Sequence, residues 1–169
     1  MTMIDVQEFT FSRTFDAPRE RVWRAWSDAE SLAQWWGPKG TTMHVLKLEF
    51  RPGGMFHYTI AFQPGHEMYA RFIYREIVAP ERIAFVISFS DPAGGITRAP
   101  FPQLKNLWPL EVLNVVTFTE QGGQTTIALR GTPINATEDE RKMFAANTES
   151  MRQGFGGAFD KFADLLAKS

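Results

Sequence analysis

The stretch "GFGGAFDKFADLL", Gly154 to Leu166, decides how this chain folds. Phe155, Phe159, Phe162 and Leu166 recur at helical spacing, and Phe144 and Met151 extend the same stripe upstream. A stripe that broad belongs on a helix with one face buried. Thr137, followed three residues later by Glu140, forms a capping box, so the pattern predicts one long helix from about Thr137 to Lys168. Gly154, Gly156 and Gly157 interrupt it. A glycine inside a helix costs about 1 kcal/mol relative to alanine, so this cluster needs a reason. The helix bends there, or its backbone approaches a sheet closely, or room is left for a ligand.

Upstream of that helix the dominant period is two. In "QEFTFSRTF", Phe9, Phe11, Arg13 and Phe15 share one parity. "HVLKLEFR" alternates Leu46, Leu48 and Phe50 with Lys47, Glu49 and Arg51, and "MFHYTIAF" places Phe56, Tyr58, Ile60 and Phe62 on one face. "MYARFIYREIV", "IAFVISFSD" with Ile83, Phe85, Ile87 and Phe89 aligned, "LEVLNVVTFTE" and "QTTIALRG" continue the series. Turns as short as "RPGG", "QPGHE" and "QGG" join these runs, which makes neighbouring strands antiparallel. Between the first strand and the rest lie two short helices. Pro18 begins the first, with Asp16 as a nearby cap, and Val22, Trp23 and Trp26 share a face. Ser27 and Asp28 cap the second, which carries Leu32, Trp35 and Trp36 before "GP" stops it at Gly37 and Pro38.

An α+β architecture follows. A sheet of about six to seven antiparallel strands with one ring-rich face needs a cover, and the terminal stripe is the element long enough to supply it. The sheet curls around that helix and leaves a gap wherever side chains do not meet.

Composition narrows the function. The chain has 169 residues, 44% hydrophobic and 22% charged, enough for one domain over 1–169 with a sizeable core. Fifteen Phe, five Trp and three Tyr imply a large core or a cavity walled by rings. A net charge of −1 with scattered Lys and Arg argues against a nucleic-acid partner. Cysteine is absent, which removes disulfides, thiolate metal sites and a Cys nucleophile. No apolar run is long enough to enter a membrane, and "MTMIDVQEF" has no leader pattern, so a cytoplasmic location is expected.

One segment fits neither strand nor helix. "PAGGITRAPFPQLKNLWP", ending at Pro109, is too long for a hairpin turn and too apolar, with Phe101, Leu104, Leu107 and Trp108, for an idle loop. It reads as a lid, as a subunit contact that would make a homodimer through 93–109, or as an excursion packing its own side chains.

Taken in order, "FDAPRERVWRAWSDAESLAQWWGP", "LEFRPGGMFHY", "YREIVAPERIAF", "VVTFTEQGGQTTIALR" and "GFGGAFDKFADLL" resemble the SRPBCC superfamily. This is the START-like, or birch-pollen-allergen-like, helix-grip fold. Within it the likeness is to the AHSA-type proteins, similar to the C-terminal domain of the heat-shock-protein-90 ATPase activator. The resemblance runs from about Phe9 to Leu166 and implies a single helix-grip domain. Two places depart from it: Phe155 stands where the family usually has Trp, and the segment from Ala93 to Pro109 is longer than usual. Ligand identity therefore does not carry over. Members range from chaperone cofactors to ligand binders, resistance proteins and cyclases, so the fold transfers better than the function.

Strand parity nominates a concave face of Phe56, Tyr58, Phe72, Tyr74, Phe85, Ile87, Asn114, Val116 and Phe118. Met151, Phe155 and Phe159 oppose it from the helix. Trp35 and Trp36 diverge by about 100° on their helix, so one enters the core and the other sits nearer the pocket mouth. Any one of these residues is ordinary core material. Asn114 and the Tyr58 and Tyr74 hydroxyls differ, because a buried polar group needs a partner from protein, water or ligand. No metal motif is present: His44, His57 and His66 are far apart, and the parity of His57 turns it outward. No nucleophile motif or convergent carboxylate pair appears either, since Glu76 and Glu81 sit beside Arg75 and Arg82 in a solvated connection. No catalytic residue and no cofactor is assigned.

Three functions compete on these residues. The first is a non-catalytic protein holding a small apolar or aromatic molecule between sheet and helix. The second is a protein-interaction module of the chaperone-activator type, and the third a cyclase or hydrolase of polyketide-like substrates. The third lacks an evident acid or base.

Overall fold

In the computed structural model, which describes residues 8–168, the strands form one curved open sheet. The elements are β1 (Phe9–Phe15), α1 (Arg19–Ser27), α2 (Ala29–Trp35), β2 (Thr42–Leu48), β3 (Met55–Ala61), β4 (Glu67–Val78), β5 (Arg82–Ser90), β6 (Val112–Gln121), β7 (Gln124–Pro133), α3 (Glu138–Ala146) and α4 (Thr148–Ala167). A single 3-10 turn, Pro102–Leu104, lies in the long β5–β6 connection. Spatial order is β1-β7-β6-β5-β4-β3-β2, every pair antiparallel. The first strand thus pairs with the last, and α1 and α2 carry the chain from one edge of the sheet to the other. The N-terminal stretch read for a leader, and Gln7 at the expected start of β1, lie outside the described residues.

The expected α+β helix-grip architecture is what the chain adopts: seven strands, two short helices after the first, and a long C-terminal helix on the inner face. Several local expectations are corrected. The terminal helix is two helices. α3 ends at Asn147, whose Nδ2 donates to the Met143 carbonyl at 2.8 Å. An asparagine side chain that bonds the preceding turn competes with the helical ladder and ends it there. At the N-terminus of α1, Pro18 itself occupies the cap position and no side chain caps the helix, so Asp16 does not act as predicted. Asp28 caps α2 as expected, accepting from Ser31 N at 2.9 Å.

β2 is the third correction. A bulge between Val45 and Lys47 makes Leu46 an extra residue, half-exposed, and the simple alternation fails. Val45 pairs with Tyr58 and Leu48 with Phe56, so both still share the inner face across the bulge. Phe62 lies beyond the end of β3 and is 55% exposed, not on the inner face with Tyr58.

The core sits between the inner face and the helices. Phe56, Tyr58, Phe72, Phe85, Val116, Phe118, Phe159 and Phe162 are all at most 2% exposed. α2 packs on both α4 and β2, and α1 packs on β6. Trp35 locks the two short helices together: its indole Nε1 donates to the Ala25 carbonyl at 2.9 Å. Its ring meets Phe162 of α4 at 4.6 Å between centroids. Asp160 adds a polar tie among three elements, pairing with Arg13 of β1 at 2.7 Å and Lys39 after α2 at 2.9 Å. Those two cations hold its carboxyl below the usual carboxylate range, Lys39 contributing more.

α4 runs unbroken across its three glycines. Gly157 is there for close approach, to the loop after α2 instead of the sheet: a Cβ would lie 3.2 Å from both the Lys39 nitrogen and its Cγ. Gly154 faces open space. So does Gly156, for which the packing supplies no reason.

Candidate functional site

The open space beside Gly154 belongs to a pocket of about 420 Å³ between α4 and the inner face of the sheet. Its floor is Tyr58 and Ile60 of β3, Ala70 of β4, Ile87 of β5, and Val112 and Asn114 of β6. Met151, Gly154, Phe155 and Ala158 of α4 form the opposite wall, and Trp36 with Gly37 and Pro38 forms one end. Phe101, Gln103, Leu104 and Trp108 of the β5–β6 connection, with Phe144 of α3, form the other.

Of the residues nominated from sequence, Trp36, Tyr58, Ile87, Asn114, Met151 and Phe155 line this pocket. Trp35, Phe56, Phe72, Tyr74, Phe85, Val116, Phe118 and Phe159 lie behind it in the close-packed core. The Phe72 and Phe85 rings stack at 3.9 Å, and Phe56 stacks on Tyr58 at 4.5 Å. The two adjacent tryptophans divide: Trp35 is wholly buried away from the pocket, and Trp36 turns toward it, edge-on to Phe72 at 5.1 Å.

Sequence reasoning missed Gly131 and the α3–α4 joint, Asn147 and Ser150, as lining residues. Gly131 carried a signal, because an isolated glycine within a strand pattern marks a close approach. The joint carried none, since its position depends on the helix break.

The long connection closes over the pocket. Arg98 donates to the Glu140 carboxylate and, at 3.3 Å, to the Trp108 carbonyl, so it ties the end of the segment to α3. Trp108 lies against Phe144 with 5.4 Å between ring centroids. Glu140 completes the capping box as well, accepting from Thr137 N at 3.0 Å while its own N donates to Thr137 Oγ1 at 3.1 Å. The Arg98 hydrogen bond, then the one from Thr137, hold its carboxyl below the usual range. One carboxylate therefore anchors both the helix start and the segment above the pocket.

The start of the same connection folds over the outer face. Arg71 Nη1 donates to the Gly94 carbonyl at 2.8 Å, and Gly94 packs beside Met55 and His57. His57 does point away from the concave face, but it is not exposed to solvent. It is 7% exposed and shares a hydrogen bond of 3.2 Å with Ser90 Oγ. Glu76 and Arg82 form an exposed pair at 2.8 Å. Among the described residues no group of His, Cys, Asp or Glu is placed to hold a metal ion, and no helix is long and apolar enough to cross a membrane.

Both inner-face phenols are held protonated. Burial pushes Tyr58 well above its ordinary value, partly offset by a hydrogen bond from Trp36, and burial does the same to Tyr74, with Tyr58 adding to it. Neither ionises near neutral pH. The polar groups offered to a bound molecule are amides and hydroxyls.

Solved structures share this architecture at low sequence identity, the following three among them. A protein from Arthrobacter aurescens superposes with a TM-score of 0.79 at 24% identity, over 97% of this chain and 88% of its own. One from Mycobacterium smegmatis gives 0.76 at 22%, over 95% and 91%. The AHSA1 protein from Silicibacter pomeroyi gives 0.71 at 17%, over 95% and 97%. At these identities the likeness establishes the fold alone. No curated protein matches the chain. The sequence pattern of the family described as "Activator of Hsp90 ATPase homolog 1-like protein" matches residues 16–167, nearly the whole chain. With its helix pair, seven-stranded sheet and terminal helix, the chain belongs to that AHSA1 family of SRPBCC-type proteins.

Proposed function

We propose that the protein binds a small molecule with an apolar, ring-containing body in the pocket between the sheet and α4, and does so without catalysis. The pocket itself carries this reading. Its volume of about 420 Å³ falls within the ordinary range of small-molecule sites, and its walls are rings and aliphatic side chains with a few amides among them. Proton-transfer catalysis would need a group able to change protonation near neutral pH. The described lining holds no carboxylate, imidazole, amine or guanidinium, and the Tyr58 phenol is held protonated. That weighs against a cyclase or hydrolase.

A chaperone-activator role, the sense of the family description, would call for an exposed apolar patch. The long connection was the obvious place for it and for self-association. Its Phe101, Leu104 and Trp108 turn into the pocket, and Ile96 is its large exposed apolar side chain. Those placements favour a lid over a subunit contact.

Native mass spectrometry with neutral aromatic compounds, read together with Trp36 and Trp108 fluorescence, tests the reading. A one-to-one adduct that quenches fluorescence is expected, and it is expected to disappear in Gly154→Leu, whose side chain enters the space beside α4. Absence of any adduct at millimolar compound would overturn it.

A further inference from the structure

Taking the pocket to be a ligand site, we infer that it selects uncharged molecules and fixes them through the Asn114 amide, so that the ligand is a neutral ring system bearing a carbonyl or hydroxyl. Two independent observations lead there.

The first is the distribution of charge. The sequence holds 18 Lys and Arg and 19 Asp and Glu, yet none of the described residues lining the pocket is any of these, or His. Of the charged groups at the lid, Arg98 is committed to Glu140, and Lys105 is exposed to solvent. A carboxylate or ammonium entering this space would shed its hydration and meet no counter-charge, which is far more costly than desolvating a neutral group.

The second is Asn114. It projects from the inner face of β6 into an apolar wall and is 5% exposed. A primary amide offers two donors and two lone pairs. The hydrogen bond this one makes among the described residues is a long one, Nδ2 to the Val112 carbonyl at 3.5 Å. Its strand partners are Phe85 and Gly131, neither with a polar side chain. Gly131 is needed for the placement: a Cβ there would come within 2.9 Å of Asn114 Oδ1. Glycine at 131 leaves the amide room to stand, and both residues line the pocket. A buried amide with capacity to spare, aimed into an apolar cavity, is matched by one polar group on the occupant.

Three naphthalene probes test this by fluorescence titration. 6-Propionyl-2-dimethylaminonaphthalene is neutral with a ketone, 2-dimethylaminonaphthalene lacks the ketone, and 8-anilinonaphthalene-1-sulfonate is an anion. The ketone probe is expected to bind about tenfold more tightly than either of the others. Asn114→Val is expected to weaken the ketone probe about tenfold and leave the ketone-free probe unchanged. Gly131→Ala, which displaces the amide without removing it, is expected to weaken the ketone probe alone, and it stands in if Asn114→Val does not fold. Equal binding of the sulfonate and the ketone probe would overturn charge selection. Equal effects of both variants on both neutral probes would overturn the role of Asn114. If no probe binds the unaltered protein, the ligand-site reading itself fails, and this inference with it.

Discussion

Toward its C-terminal end, α4 packs Phe159 and Phe162 ring against ring among Trp35, Trp26 and Phe15, with Leu166 buried beside them. Toward its N-terminal end the same helix presents Met151, Gly154 and Phe155 to a pocket roofed by the β5–β6 connection. Both ends use aromatic side chains on a curved sheet. They differ in what stands opposite. Trp26 and Trp35 of the short helices fill the first end, whereas nothing from those helices beyond Trp36 reaches the second. Whether a curved sheet and a helix make a core or a site is decided by the third element at each end.

That contrast can be broken most forcefully at the solid end. Phe162→Ala is expected to destabilise the fold by about 3–5 kcal/mol, because rings on all sides leave a void that cannot collapse. Urea unfolding measures it, and a loss under about 1 kcal/mol would mean that end is not tightly packed. Phe155→Ala removes the same ring from the hollow end, where the side chain is already half-buried against open space. A smaller loss, about 1–2 kcal/mol, is expected, together with a changed probe affinity. Equal losses for the two variants would erase the distinction between the ends.

The lid anchor comes next. Glu140→Gln keeps a capping amide but gives up the charge facing Arg98, for an expected loss of about 1 kcal/mol. The same carboxylate makes the effect depend on pH. Its folded-state value lies below the ordinary 4.5, so its contribution is complete above about that pH and fades as pH falls through the depressed folded value. Urea midpoints of the native protein and Glu140→Gln should therefore converge in acid. A gap that stays constant from neutral pH to strong acid would show that Glu140 is not the group responsible.

The smallest expected change is at Gly154. A Cβ there meets nothing within 4 Å, so Gly154→Ala is expected to gain up to about 1 kcal/mol from helix propensity. Thermal unfolding checks it, and a clear loss of stability would mean the pocket wall is closed in solution.

Much of this fold was legible in the chain. Strand parity identified the inner face because a half-buried sheet enforces a period of two. The Thr137–Glu140 capping box and the Gly37–Pro38 stop were readable because they are local backbone chemistry. The misreadings share a cause. The break at Asn147 and the bulge at Leu46 each depend on a contact or a side-chain choice that periodicity does not encode. The outward direction of His57 was legible from parity, whereas its burial under a distant loop around Gly94 was not.

The candidate site divides along the same line. By itself the sequence determined that a ring-rich concave sheet would close on an aromatic helix, and that Asn114 would be a polar group on that face. These follow from spacing along single elements. Only the tertiary structure decided which rings are core and which face a pocket, why residue 131 is glycine, and that Arg98 ties the long connection down to Glu140. Those outcomes rest on which elements stand opposite one another, and the free energy of filling or leaving a space belongs to all of its walls together.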